Sequence, residues 1–82
     1  MKTITFKSTP DNFVKEYLGL KSNTIRKFDD YTDVRFDLIV KFMANEFSQL
    51  NITIVNTKTN EEFTRQVTDI TKFDNYYIIS WR

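Results

Sequence analysis

Lys21 and Thr24, three positions apart, are the residues whose types and spacing could do chemistry. A lysine whose pKa is lowered by burial can act as a base, and a threonine hydroxyl can then serve as nucleophile. A carboxylate completes such a set, and the candidates are Asp69 and Glu62. The same segment could instead only bind. Lys21 and Arg26 would contact phosphate or base edges, with Asn23 and Thr24 as hydrogen-bond donors. A plainer reading also stands: Lys21 as a solvated charge beyond a helix end, Thr24 as an ordinary strand residue, and Arg26 with Lys27 as edge-strand charges.

What must position these side chains is a corner at Gly19, the only glycine in 82 residues. A glycine after an amphipathic stretch ends a helix in the left-handed conformation that other residues reach only at a cost. Residues 10–18 supply that helix. Thr9 is a plausible N-cap, Pro10 suits the first helical position, and Phe13, Val14, Tyr17 and Leu18 form a stripe at helical spacing. Before it, Lys2–Lys7 alternates with Ile4 and Phe6 on one side, as a half-buried strand does. After it, Asn23–Lys27 reads as a short strand with Ile25 buried.

The remainder reads as a second helix and three strands. Asp29 or Asp30 caps a helix running to about Glu46, with Phe36, Ile39, Val40, Met43 and Phe47 inward and an Asp37–Lys41 pair on its surface. Residues 51–56 are β-branched, 56–60 form a polar hairpin loop, and 62–70 return with Phe63, Arg65, Val67 and Asp69 on one face. Residues 72–75 turn into Tyr76–Trp81, whose unbroken apolar character predicts a central strand. The fold class is therefore α+β. The order is β-α-β-α-β-β-β, a small mostly antiparallel or mixed sheet with two helices, in a single domain over 1–82.

Composition narrows the function. There is no histidine and no cysteine. The commonest general base, zinc ligand and thiol nucleophile are all absent from the sequence. One glycine leaves no phosphate loop or dinucleotide fingerprint. Asp29, Asp30 and Asp33 lack the spacing of a metal loop and read as helix caps. No cofactor and no metal are expected, and no apolar run has the length of a membrane span. Eight Phe, four Tyr and one Trp suit the dense core that a small domain needs. Net charge is +1 overall but +4 over residues 1–28 and −3 over 29–82, so one face is expected to be basic. Aromatic rings interleave with bases at Phe6-Lys7, Lys27-Phe28 and Tyr76-Tyr77, an arrangement that can hold single-stranded nucleic acid. Tyr76 or Tyr77 is the ring expected at the surface.

Ile4-Thr5-Phe6, the helix, and then Gly19-Leu20-Lys21-Ser22-Asn23-Thr24-Ile25-Arg26 resemble the start of an ASCH domain of the PUA-like superfamily. The strands Arg65–Ile70 and Tyr76–Ile79 are similar to its later strands. Together these cover about half the chain, and only the central segment is specific. The resemblance implies a curled partial barrel flanked by helices, with RNA or a modified nucleoside bound in a cleft near the motif. Some members are amidohydrolases that use the motif's lysine and threonine, here Lys21 and Thr24, with a glutamate. The family's Gly-Asp turn after the second strand is replaced by a helix, and the segment carrying that glutamate is absent. The resemblance therefore implies binding more than catalysis. Small versions of this kind look like products of bacteriophages or mobile elements, acting in the cytoplasm of a bacterial host.

Three functional readings follow. The first is a non-catalytic module for RNA, single-stranded nucleic acid or a nucleotide-like ligand, with Lys7, Lys21, Asn23, Thr24, Arg26 and Tyr76 as ligand contacts. The second is a small hydrolase of modified nucleosides built on Lys21 and Thr24. The third is an accessory protein that inhibits a host defence nuclease by protein contact.

Overall fold

The computed structural model describes residues 2–29 and 32–82. The elements are β1 (Lys2–Ser8), α1 (Pro10–Tyr17), β2 (Asn23–Lys27), α2 (Val34–Met43), β3 (Leu50–Asn56), β4 (Glu62–Phe73) and β5 (Tyr76–Trp81). This is the order expected from the sequence. The strands form one curled five-stranded sheet, a half-barrel, in the order β1-β3-β4-β5-β2. β1 runs parallel to β3, and every other pair is antiparallel. β5 lies inside the sheet, as its apolar run predicted. No helix of the described residues is long and apolar enough to cross a membrane.

Alternation puts Ile4 and Phe6 of β1 into the core with Ile52 and Ile54 of β3. Phe63, Val67 and Ile70 of β4 and Tyr77, Ile79 and Trp81 of β5 complete the concave face, which Ile39 of α2 and Phe13 of α1 cover. The rings gather in two main groups, Phe6, Phe28, Phe36 and Tyr77 in one and Phe13, Tyr17, Phe63 and Trp81 in the other. Phe28 meets Phe6 at 6.1 Å and Tyr77 at 5.7 Å, and Phe13 meets Phe63 at 5.4 Å.

Four local expectations are corrected. First, the inward row of α1 is Phe13 and Glu16, while Val14, Tyr17 and Leu18 are exposed. The helix is only eight residues long and leans on Phe63 through Phe13 and Tyr17, which turns position 16 rather than 14 under the sheet. Second, β2 is one residue out of phase. Ile25 is 59% exposed, whereas Thr24 is 3% exposed. In the β2–β5 register Thr24 opposes Ile79 and Arg26 opposes Tyr77, both core residues, so positions 24 and 26 must face inward.

Third, α2 begins and ends later and earlier than expected. Asp33 is its N-cap: the side chain accepts a bond from the Arg35 amide at 2.9 Å. Asp29 instead accepts from Asn75 and lies 3.8 Å from Lys27, and Asp30 falls outside the described residues. The helix stops at Met43 because Asn45 takes φ 60°, with Glu46 N–H bonded back to the Lys41 carbonyl. Leu38 and Phe42 pack on the core with Phe36 and Phe47, while Val40 and Met43 remain exposed. The Asp37–Lys41 pair is present at 3.0 Å. Fourth, a register shift between Val67 and Asp69 bulges β4. Val67 and Ile70 then both face inward, and Asp69 leaves the face it was expected to share with Val67. β4 runs on to Phe73, so the turn shrinks to Asp74 and Asn75.

Candidate functional site

The two outer strands of the sheet, β1 and β2, share no ladder. Their ends are joined by side chains instead. Arg26 on β2 donates from Nε to the Thr24 hydroxyl at 2.9 Å and from a terminal nitrogen to Ser8 Oγ on β1 at 3.3 Å. Its guanidinium lies 4.8 Å from the centre of the Phe6 ring, and that of Arg35 lies 4.7 Å from the same ring. Arg35 also donates to the Thr5 carbonyl at 3.1 Å, which occupies part of the free edge of β1.

Above this seam α1 and the Gly19 corner enclose a cleft of about 270 Å³. Gly19 has φ +79° and closes α1 as anticipated. The Leu20 amide bonds the Lys15 carbonyl at 3.0 Å and the Gly19 amide bonds the Glu16 carbonyl at 3.3 Å, the paired closure of a Schellman turn. The turn drops Lys21 over the C-terminal half of the helix. Lys7, Lys21, Thr24 and Arg26 all line the cleft, so four of the six side chains expected at a binding site come together. Asn23 and Tyr76 do not line it. Asn23 sits beside Ser80 in the β2–β5 register. Tyr76 is 41% exposed, as expected of one of the tyrosine pair, but its Cα partner is Lys27 and the Lys27 ammonium lies 5.9 Å from its ring.

Sequence reasoning missed the carboxylate. Neither Asp69 nor Glu62 lines the cleft. Glu16 does, and it is 1% exposed. Its Oε2 lies 4.0 Å from Lys21 Nζ, and among the described residues no donor hydrogen-bonds either oxygen. A buried carboxylate without hydrogen bonds is costly, so its retention needs a reason beyond packing. Its spacing was the available signal. Glu16 falls three residues after Phe13 on the buried row and five before Lys21. Ser8, Thr9 and Asn12 complete the lining.

The cleft is electropositive, with Lys7, Lys21 and Arg26 against Glu16. Burial pushes the Arg26 guanidinium below its ordinary pKa, Glu16 opposes that shift, and neighbouring Arg35 adds to it. Arg26 nevertheless remains charged, as guanidinium groups in proteins do. Arg35 is neutralised by Asp33 through a contact of 2.6 Å. By contrast, a hollow of about 320 Å³ between α2 and β4 has Asp69 as its single ionisable lining residue. Chemically, the basic cleft offers donors from Lys21 and Arg26 beside the Glu16 carboxylate, whose oxygens are almost wholly screened from solvent. That combination suits a small planar group with both acceptors and N–H donors.

No family model matches the chain, and no curated protein matches it either.

Proposed function

We propose that this protein is a binding module that receives a nucleobase, presented by single-stranded RNA or a nucleotide-like molecule, in the cleft between α1 and β2. The observation that carries this reading is the Glu16 carboxylate: buried, without a hydrogen-bond donor among the described residues, and flanked by Lys21 and Arg26. A base edge supplies the N–H groups that such an acceptor lacks and takes donors from the two cations. The likeness of residues 19–26 to ASCH domains supports the same reading. The test is a fluorescence titration of the wild-type chain and Glu16→Gln with short RNA and DNA oligomers at low salt. Binding by wild type that weakens at least about tenfold in the variant supports it, the size expected for one buried charged hydrogen bond. No binding to any oligomer overturns it.

A second reading has one observation of its own. The carboxylate that a Lys21–Thr24 hydrolase requires is present, at 4.0 Å from Lys21. Thr24 lines the same cleft, and its hydroxyl oxygen accepts from Arg26. In this reading Glu16 orients the lysine and Arg26 positions the hydroxyl. Release of acetate from acetylated nucleosides, lost in both Lys21→Ala and Thr24→Ala, would favour it over simple binding.

A further inference from the structure

We propose that the outward face of α1, together with the Gly19 corner, is a docking surface for an anionic lipid bilayer. The inference goes beyond the base-binding reading and does not rest on it. Val14, Tyr17 and Leu18 recur at i, i+3 and i+4, so they share one face of the helix. That face turns away from the core, because Phe13 and Glu16 take the buried row. All three side chains are at least half exposed. The corner adds a fourth. Leu20 is 77% exposed, and the bond from its amide to the Lys15 carbonyl folds it back over the last turn of the helix. The Tyr17 ring is backed by Phe13 and Phe63, so the surface needs no ordering before it docks. Single exposed apolar residues are ordinary on a protein, but four gathered on one helix face and its closing turn mark an interaction surface.

The second observation is charge, and it says what covers this face. From Asn12 to Phe28 the charged residues are Lys15, Glu16, Lys21, Arg26 and Lys27. Glu16 is sealed in the interior, so every charge of the segment that reaches solvent is positive. Lys15 follows Val14 and Lys21 follows Leu20, which interleaves cations with the apolar side chains. A second copy of the chain would set these cations against one another. An anionic bilayer suits both groups: the apolar side chains enter the boundary between headgroups and acyl chains, and the ammonium groups meet lipid phosphates. The exposed ring at the other end of the sheet lacks this setting. Phe73 is 70% exposed but stands between Lys72 and Asp74, whose charges offset.

The experiment is sedimentation of the 82-residue chain with vesicles at low salt, of phosphatidylcholine alone or with one third phosphatidylglycerol. Wild type is expected to bind the mixed vesicles about tenfold or more tighter than the neutral ones, as one or two lysines at the surface provide. Leu20→Ser should weaken that binding about tenfold, the effect of withdrawing one leucine side chain from the bilayer. Lys15→Glu should weaken it about as much and serves if the first variant does not fold. Phe73→Ser should bind as wild type does. Leu20 does not line the basic cleft, so Leu20→Ser should leave oligonucleotide binding unchanged, and either reading can fail without the other. Failure to sediment with the mixed vesicles overturns the proposal and leaves the face to an acidic protein surface. Equal binding to both vesicles overturns it too, as does a loss in Phe73→Ser equal to that in Leu20→Ser.

Discussion

Glu16 Oε2 lies 4.0 Å from Lys21 Nζ, and among the described residues no donor hydrogen-bonds either oxygen of that carboxylate. The pair is close enough for attraction and too far for a hydrogen bond. Such an arrangement contributes little to stability. Replacing Glu16 by Met, of similar volume, should therefore stabilise the fold. A gain of about 1 kcal/mol, or roughly 4–8 °C in a domain of this size, is expected in a thermal melt followed by circular dichroism. A fall of that size would show that the ion pair holds the fold together.

Arg26 ties the two unpaired edges of the sheet. Arg26→Lys keeps the charge but loses the planar fork that reaches Thr24 and Ser8 together and stacks on Phe6. We expect a loss of about 1–3 kcal/mol, read as a lower urea midpoint with an unchanged slope. Ser8→Ala, which removes one of these bonds, should cost less.

The Asp33–Arg35 contact predicts the acid limb of stability. Its hydrogen bond from Arg35 holds the Asp33 carboxyl below the usual range, and Arg35 is shifted upward in turn. A carboxyl with a depressed folded pKa contributes stability that is fully present above its unfolded value, about 3.9, and is lost as pH falls through the folded value. Urea midpoints from pH 7 to pH 3 should decline more steeply for wild type than for Asp33→Asn. Asparagine still caps α2, and the pair is partly solvated, so the variant should lose at most about 1 kcal/mol at neutral pH.

Gly19 tests the corner itself. A Cβ there would meet nothing within 4 Å, so a substitution would cost only the backbone conformation at φ +79°. Gly19→Ala should destabilise by about 1 kcal/mol, and Gly19→Asn by less, in the same melt. A much larger loss would mean that the turn is held more tightly than its geometry shows.

Binding of single-stranded RNA should weaken with salt. Two or three cations on phosphate give a slope of log K against log[salt] of roughly −1.4 to −2.1, and Lys21→Ala should leave it nearly unchanged, because Lys21 meets the base edge. A slope reduced by about 0.7 in that variant would place Lys21 on a phosphate instead.

Element order and strand positions were legible because period-two alternation and turn residues mark β1, β3, β5 and the 56–60 loop plainly. The phase of β2 was not legible. Its one large apolar side chain, Ile25, points inward on hydropathy alone, but the sheet's register with β5 decides the matter and turns Thr24 and Arg26 in. The bulge in β4 carries no glycine to announce it, so unbroken alternation puts Asp69 on the face of Val67, which the structure does not. Lys7, Lys21, Thr24 and Arg26, which charge and the Gly19 corner single out in the sequence, line one cleft. Glu16 does not stand out in the sequence because a glutamate on a short helix is ordinarily solvated, and only the packing of Phe13 and Tyr17 on Phe63 shows that this one is not.

The parallel ladder of β1 with β3 has a kinetic consequence. Lys2 pairs with Leu50, so more than half of the chain separates the partners, whereas β3, β4 and β5 are joined by short turns. Loop-closure entropy favours the local meander as the first part to assemble, with the amino-terminal strand annealing late. Until it does, Ile52 and Ile54 have no β1 beside them, and the nascent polypeptide presents a sticky margin to its neighbours on the ribosome.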